Sequence, residues 1–344
     1  MKAMIMAAGV GSRLMPLTKD TPKPMVPMTN RPLMENIVEL LGRHHFKEVI
    51  ANLHHQGESI SGYFDDGHDF GLKLLYSPEE VLLGTAGGVK KCEWFLDETF
   101  VVISGDALTD MDLSELLAQH RKRGALATIA LKEVENVEQF GVVLTAEDGR
   151  IRRFQEKPAR EEALSHKANT GIYVFEPEIF KYIPAAQFYD FGRQLFPQLV
   201  EMRAPFYAVS VQDYWCDVGN IDTYRQAHVD VLQGRVAMEP GGILQGKDNE
   251  QSRVLLGEGV ELGDEVKFLG HVVIGRDCRI GSGTIIKDAV IWEQSEIGPA
   301  SVLKDCTIGR QCKIGYRTIV NPGTVMGSGY KVAGNSILGP SQGL

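Results

Sequence analysis

Two textures of apolar and polar positions divide the chain of 344 residues. Up to about residue 235, short apolar runs alternate with segments of helical period. Residues 4–8, 49–53 and 100–104 read as strands. Leu33, Ile37, Leu40 and Leu41 share one helical face, with Gly42 as a stop signal. Residues 112–120 carry a second such face in Leu113, Leu116 and Leu117, closed by Gly124. Strand and helix in alternation predict an α/β fold with a mostly parallel sheet and helices on both faces. In such sheets ligands sit at the carboxyl ends of the strands. Residues 236–252, with Pro240, Gly241, Gly242 and Gly246, read as a linker between a first domain (1–235) and a second (253–344).

Beyond the linker the period changes. Leu256, Leu262, Phe268, Ile274, Ile280 and Ile286 are six apart; the register skips one residue to Ile291, Ile297 and Leu303, and once more to Ile308, Ile314, Val320 and Met326. Glycine directly follows most of these positions, among them the seven at 257, 263, 275, 281, 298, 309 and 315. A hexapeptide of apolar residue then glycine predicts a parallel β-helix of about four coils: three six-residue faces make a coil and the apolar residue points inward. The glycine is expected to support a turn that a larger side chain would strain.

Composition narrows the function. The net charge of -9 argues against non-specific binding to nucleic acid or anionic membrane. A phosphate substrate remains open, since a few local cations and a metal reverse the field inside a cleft. The five cysteines (92, 216, 278, 306 and 312) are odd in number and irregular in spacing, which points to thiols in a reducing compartment. Residues 1–8 are apolar but too few for a signal peptide, and no run of 18 apolar residues exists. The expected location is the cytoplasm. The adjacent pairs His44-His45 and His54-His55 point apart on a strand and share no helix face, so neither reads as a metal site.

The chemistry begins directly after the first strand, with Ala7-Ala8-Gly9-Val10-Gly11-Ser12-Arg13-Leu14 and then Pro22-Lys23-Pro24. A glycine-rich loop there lets backbone N–H groups approach phosphate. It is neither GxxxxGK[ST] nor GxGxxG, because Leu14 stands where the last glycine would be. Arg13 can make forked bonds to phosphate oxygens. Lys23, between two prolines, is expected in an extended segment. Asp106, in Ser104-Gly105-Asp106, sits at the carboxyl end of a buried strand, the ligand edge; Asp110 and Asp112 are expected to cap the helix near Leu113.

With these residues in hand, the chain resembles the sugar-1-phosphate nucleotidyltransferases. The family pattern LxxGxGxRxxPxTxxxPKPxxP is matched from Met6 through Thr18 and Pro22 to Pro27. The resemblance covers roughly the first 230 residues, and the repeat tail is similar to the C-terminal domain of the mannose-1-phosphate guanylyltransferase and glucose-1-phosphate adenylyltransferase branches. It implies a Rossmann-like, mostly parallel sheet followed by a left-handed parallel β-helix. It further implies that a nucleoside triphosphate and a hexose 1-phosphate, glucose or mannose, react to give a nucleotide sugar and pyrophosphate with Mg²⁺. Asp106 and Asp217 would hold the metal, and Arg13 and Lys23 would act on the phosphates. Ala7, Ala8, Gly9, Gly11, Ser12, Gly84, Thr85 and Gly105 would bind the nucleotide; Leu83–Gly88 alone also reads as a helix N-terminus after a turn. Gly141, Glu156, Lys157, Asn169 and Thr170 would bind the sugar phosphate: Gly141 permits close approach, Glu156 can accept from two hydroxyls and Thr170 can bond a third.

Two competing readings are weighed. A catalytically silent regulatory homologue would not need Arg13, Lys23, Asp106, Lys157 and Asp217 together, and all are present. An acyltransferase tail would need a longer coil stack with a catalytic histidine, whereas His271 is the one histidine of the repeat region. The tail is better read as contacting another subunit in a homo-oligomer. The residues do not distinguish the base or the sugar.

Overall fold

The computed structural model describes residues 1–9, 11–246 and 252–340. Val10 of the glycine-rich loop, residues 247–251 of the linker segment and residues 341–344 of the repeat domain lie outside the described residues. The chain packs as two compact units, Met1–Gly9 with Asn36–Asp217 and Val10–Glu35 with Val218–Leu344.

In the first unit, β1 (Lys2–Met6), β2 (Glu48–Leu53), β3 (Lys73–Pro78) and β4 (Phe100–Ser104) lie parallel in the order β4-β1-β2-β3. Their unbroken apolar runs suit strands covered on both faces; Ala3, Met4 and Ile5 of β1 are fully buried. The sheet continues with β5 (Ala127–Glu133), β6 (Gly141–Thr145), β7 (Ile151–Glu156), β8 (Lys167–Phe175) and β9 (Phe206–Ser210). β8 runs antiparallel to β4, β5 and β6, β7 antiparallel to β6, and β9 parallel to β5. The parallel strands thus end at one edge, and the antiparallel half brings later residues to it.

The helix α1 (Leu33–Arg43) runs past Gly42, the expected stop; the turn that follows places His45, not the glycine, at φ 63. Residues Gly84–Lys91 form α2 and Leu113–Lys122 form α3. Asp112 caps α3, its side chain accepting from Glu115 N at 2.9 Å. Asp110 does not share that role: its carboxylate accepts from Tyr214 N at 2.9 Å, so it ties two loops together. Beneath the sheet, Phe175, Phe191 and Phe196 stack with ring centroids 5.4 Å apart at each step.

In the second unit the inward column runs Leu256, Ile274, Ile291, Ile308 and Met326, each paired in parallel register with the next. Each coil is therefore three hexapeptides, and the one-residue skips shorten two coils without breaking the column. The column residues and their neighbours form one apolar core. The reason for the glycines differs from the expectation. None of the seven is at positive φ; instead, a Cβ at Gly263 would lie 2.5 Å from Ser282 N, and at Gly275 2.4 Å from Glu293 N. Stacked coils approach too closely there for a side chain. The left-handed corners fall three residues after the inward residue, as at Glu265, Asp277, Gln294 and Gln311.

The helix α4 (Ile221–Leu232) belongs to this unit, opened by a capping box between Asn220 and Thr223. Trp292 Nε1 donates to Tyr224 Oη at 2.9 Å, and that hydroxyl donates to Pro27 O at 2.7 Å. Within the segment read as a linker, Ile243–Gln245 is a strand antiparallel to Arg253–Leu256.

Candidate active site

In the first unit the expected metal residues fall one position apart in the strand register. From Ser104 at the end of β4 the chain turns through Gly105 and Asp106 into a short strand, Ala107–Thr109. Gly105 N donates to Met6 O at 2.9 Å, and a Cβ on Gly105 would lie 3.1 Å from that carbonyl, so the turn hugs the end of β1. Trp215–Asp217 pairs antiparallel with Ala107–Thr109 and sets Asp217 opposite Ala107, the residue after Asp106. Paired strands lie about 4.8 Å apart, so the two half-buried aspartates are neighbours. Ser104 Oγ donates to Asp106 Oδ1. Thr109 Oγ1 donates to Tyr214 O at 2.7 Å, pinning the ladder. Two carboxylates, one in the turn after β4 and one on the paired strand, fit a hard cation such as Mg²⁺, which keeps waters and takes few protein ligands. Among the described residues no group of three or more His, Cys, Asp or Glu has a metal-holding arrangement.

The same strand organises the expected sugar side. Trp215 Nε1 donates to Thr170 O at 2.9 Å, and its ring meets Phe140 edge-on at 5.4 Å. Thr170 lies in a bulge of β8, where the register against β5 shifts between Asn169 and Tyr173 and Gly171 takes φ 75. Thr170 is 2% exposed and its hydroxyl donates to Ala130 O at 2.8 Å. That hydroxyl is turned into the sheet, against the expectation of a bond to a sugar hydroxyl, because Thr170 shares the buried phase of the strand with Ala168 and Ile172. Asn169 donates to Tyr173 Oη at 2.9 Å and accepts from Gly171 N at 3.0 Å, which holds the bulge closed.

Glu156 ends β7 opposite Gly141 of β6. A Cβ on Gly141 would lie 3.0 Å from Glu156 Oε2, and one on Gly192 2.6 Å. The carboxylate thus sits between two bare glycines. Desolvation there holds its pKa above the ordinary value, with Lys157 opposing and Asp190 adding to the rise. Lys157 is exposed and takes φ 46, a left-handed conformation rare for a long side chain, while its N–H donates to Phe140 O at 3.1 Å. The residue pattern alone does not announce that conformation.

On the expected nucleotide side, Ala7 and Ala8 are buried at the end of β1 and Gly9 is exposed. Ala7 N donates to Asn52 Oδ1 at 2.9 Å; Asn52 Nδ2 donates to Glu79 Oε1 at 2.8 Å; Glu79 Oε2 accepts from Leu83 N at 3.1 Å. Asn52 and Glu79 are each 5% exposed, and the sequence reading passed over both. The signal that could have found them is a polar pair at the ends of otherwise apolar strands. Residues from Gly84 onward form the start of α2, so the helix reading of Leu83–Gly88 holds at the level of structure. Thr85 Oγ1 donates to Asp190 Oδ2 at 3.0 Å and accepts from Phe191 N at 2.8 Å.

The second unit carries the rest of the glycine-rich motif. Gly11 is left-handed (φ 66) and opens a 3-10 turn, Ser12–Leu14, on which Ser12 and Arg13 are exposed. Thr18 Oγ1 donates to Gly11 O at 2.8 Å. A Cβ on Gly11 would lie 2.8 Å from Lys23 Cβ, so the loop and the lysine are in contact. Lys23 is 5% exposed, and it is not extended: it opens the 3-10 turn Lys23–Met25, closed by Val26 N to Lys23 O at 3.2 Å. Pro24 occupies the second position of that turn, where its fixed φ is favoured, and this outweighs its effect on the residue before it.

A mostly parallel sheet with paired carboxylates at its strand ends, phosphate-type glycine turns and a β-helix defines the class of nucleotidyltransferases. Residues 2–234 match the family model described as nucleotidyl transferase, and residues 251–340 match the GMPPB C-terminal domain. The chain belongs to the sugar-1-phosphate nucleotidyltransferase family. It is 43% identical to a UTP–glucose-1-phosphate uridylyltransferase of Synechocystis, over 86% of this chain and 84% of that one. It is 31% identical to a mannose-1-phosphate guanylyltransferase of Mycobacterium tuberculosis, over 85% and 79%. The solved structure of HddC from Yersinia pseudotuberculosis has the same fold, with a TM-score of 0.59 at 23% identity, covering 67% of this chain and 99% of that one.

Proposed function

We propose that the protein catalyses NTP + hexose 1-phosphate → NDP-hexose + pyrophosphate, with UTP and glucose 1-phosphate or GTP and mannose 1-phosphate as substrates, the pairs implied by the names of its two relatives. The observation that supports this reading is the ladder that pairs Asp217 with Ala107, the residue after Asp106, beside the end of the parallel strand β4. Mg²⁺ held by Asp106 and Asp217 would supply positive charge at the α-phosphate. The phosphate oxygen of the sugar attacks the α-phosphorus in line, the new P–O bond forms, and the bond to pyrophosphate breaks. That oxygen is already anionic near neutral pH, so no general base is needed. Catalysis is then positioning and charge neutralisation.

In this reading Lys157 balances the sugar phosphate and Glu156 accepts from sugar hydroxyls. Gly141 lets the sugar approach closely, while Asn169 and Thr170 shape the bulge under Trp215. Ala7, Ala8, Gly9, Gly11, Ser12, Gly84, Thr85 and Gly105 would bind the nucleotide, an assignment that rests on the motifs. Lys23 neutralises the α-phosphate and Arg13 the leaving pyrophosphate, roles that rest on the motif. The test is a matrix of UTP, GTP, ATP and dTTP against glucose 1-phosphate and mannose 1-phosphate, read by pyrophosphate release. One strongly preferred pair supports the reading; no release from any pair refutes it.

We also propose that the protein works as a homo-oligomer through its β-helix. Support comes from one outward column, Ile285, Val302, Ile319 and Ile337, in which Ile319 is 40% and Ile337 71% exposed. Light scattering should show an oligomer that Ile319→Lys with Ile337→Lys dissociates; an unchanged mass would remove this face. A cytoplasmic location fits the five cysteines, none of them in a disulfide among the described residues.

A further inference from the structure

One segment touches both halves of the proposed site. Residues 187–191 run along the start of α2: Tyr189 N donates to Leu83 O and Gly87 N to Tyr189 O, each at 2.9 Å. A Cβ on Gly84 would lie 2.7 Å from Tyr189 O, so the two backbones are pressed together. At the end of this strap Asp190 uses both carboxylate oxygens. Oδ2 accepts from Thr85 Oγ1 at 3.0 Å, and Oδ1 accepts from Arg193 N at 3.0 Å, capping a π-helical turn, Phe191–Leu195. Such turns are rare and concentrate at functional sites. Phe191 anchors the turn in the core, 2% exposed and stacked on Phe196. Gly192, the next residue, presents bare backbone to the Glu156 carboxylate, as its 2.6 Å virtual contact shows.

The start of α2 is therefore fastened through Thr85 and Asp190 to the turn that seats Glu156. We propose that Thr85 and Asp190 are positioning residues that couple the nucleotide side of the site to the sugar side, so that disturbing either alters the binding of both substrates. The proposal rests on the assignment of Leu83–Gly88 and Glu156 to those two sides. The physical basis is linkage: a packed element shared by two sites transmits a displacement in both directions. Thr85→Val removes the hydroxyl while keeping its volume. Asp190→Ala removes the cap and the link, whereas Asp190→Asn keeps the cap acceptor on Oδ1 and replaces the acceptor facing Thr85 with an amide that can donate to the Thr85 hydroxyl.

The experiment measures KM for the triphosphate and for the hexose 1-phosphate separately in each variant, using the substrate pair preferred by the wild type. KM does not depend on the fraction of enzyme that folds, so a merely structural defect lowers turnover and leaves it unmoved. Thr85→Val should raise the hexose 1-phosphate KM about fivefold or more, although Thr85 lies on the nucleotide side. Combining it with Asp190→Ala should add little to Asp190→Ala alone, and Asp190→Asn should recover most of the loss. A hexose 1-phosphate KM within about twofold of wild type in both Thr85→Val and Asp190→Ala overturns the coupling. A wild-type protein with no turnover on any pair overturns the enzyme reading first, which separates the two failures.

Discussion

Gly192→Ala tests the seat of Glu156 with a single methyl group. Gly192 has no positive φ, so alanine suits its backbone. The added Cβ would lie 2.6 Å from Glu156 Oε2 and 3.1 Å from Phe154 Cε1. The nearest atom is the end of a flexible side chain, which can swing away without disturbing the core. Replacing glycine by alanine in a helical turn also favours the fold by up to about 1 kcal/mol, so the melting temperature should hold or rise slightly. Under the proposed assignment, the displaced carboxylate would forfeit its charged hydrogen bonds to the sugar, each contributing about 1.5–3 kcal/mol. The expected outcome is a loss of about 10- to 100-fold in kcat/KM for hexose 1-phosphate. Gly141→Ala differs: its Cβ would lie 2.5 Å from Phe154 Cζ as well as 3.0 Å from Glu156 Oε2. Crowding an aromatic ring packed on the core costs about 1–3 kcal/mol, so this variant should lose both stability and activity. Steady-state kinetics with varied hexose 1-phosphate, beside thermal unfolding, reads both. A Gly192→Ala enzyme with unchanged kcat/KM and unchanged stability would refute the assignment of Glu156 to the sugar.

Other outcomes follow from single contacts. Gly275→Ala places a Cβ 2.4 Å from the backbone nitrogen of Glu293 in the next coil, so thermal unfolding should show a loss of about 1–3 kcal/mol or more. An unshifted transition would contradict the close-coil explanation for the repeat glycines. Asp112→Ala should cost about 1 kcal/mol through the lost cap, with magnesium half-saturation unchanged; a raised half-saturation would bring Asp112 into the metal site. In its proposed role Glu156 accepts the stronger hydrogen bonds from sugar hydroxyls when ionised, and its pKa is raised by desolvation. The hexose 1-phosphate KM should therefore climb as pH falls, starting above the range of an ordinary glutamate near about 4.3. Glu156→Gln should flatten that step. For stability the sign is opposite: the folded state binds this proton more tightly, so ionisation opposes folding as pH rises and the opposition fades as pH falls.

Local periodicity carried much of the fold. The six-residue column from Leu256 to Met326 is legible because every coil turns the same residue inward, and the skips merely shorten coils. β1, β2 and β4 are legible because strands buried on both faces read as apolar runs. What the residues do not announce is pairing across long separations. Nothing near Asp217 reveals that it lies opposite Ala107, and nothing near Thr85 reveals Asp190. Gly141 is legible as a point of close approach, but nothing near Gly192 reveals that both glycines leave room for the same Glu156 carboxylate. Lys23 shows two local rules in conflict: a proline restrains the residue before it, yet also favours the second position of a turn, and the turn prevails. Thr170 alternates with the buried Ala168 and Ile172, so its inward hydroxyl is legible in the strand pattern once the strand's bounds are known.

Measuring pyrophosphate release against magnesium concentration, in the wild type and in Asp106→Asn and Asp217→Asn, probes the paired carboxylates most directly. We expect wild-type turnover to vanish with EDTA and return with Mg²⁺, and each asparagine variant to need far more Mg²⁺ while keeping its melting temperature. If both variants instead saturate at the wild-type concentration, the ion is held elsewhere and the ladder between residues 107 and 217 is only structural.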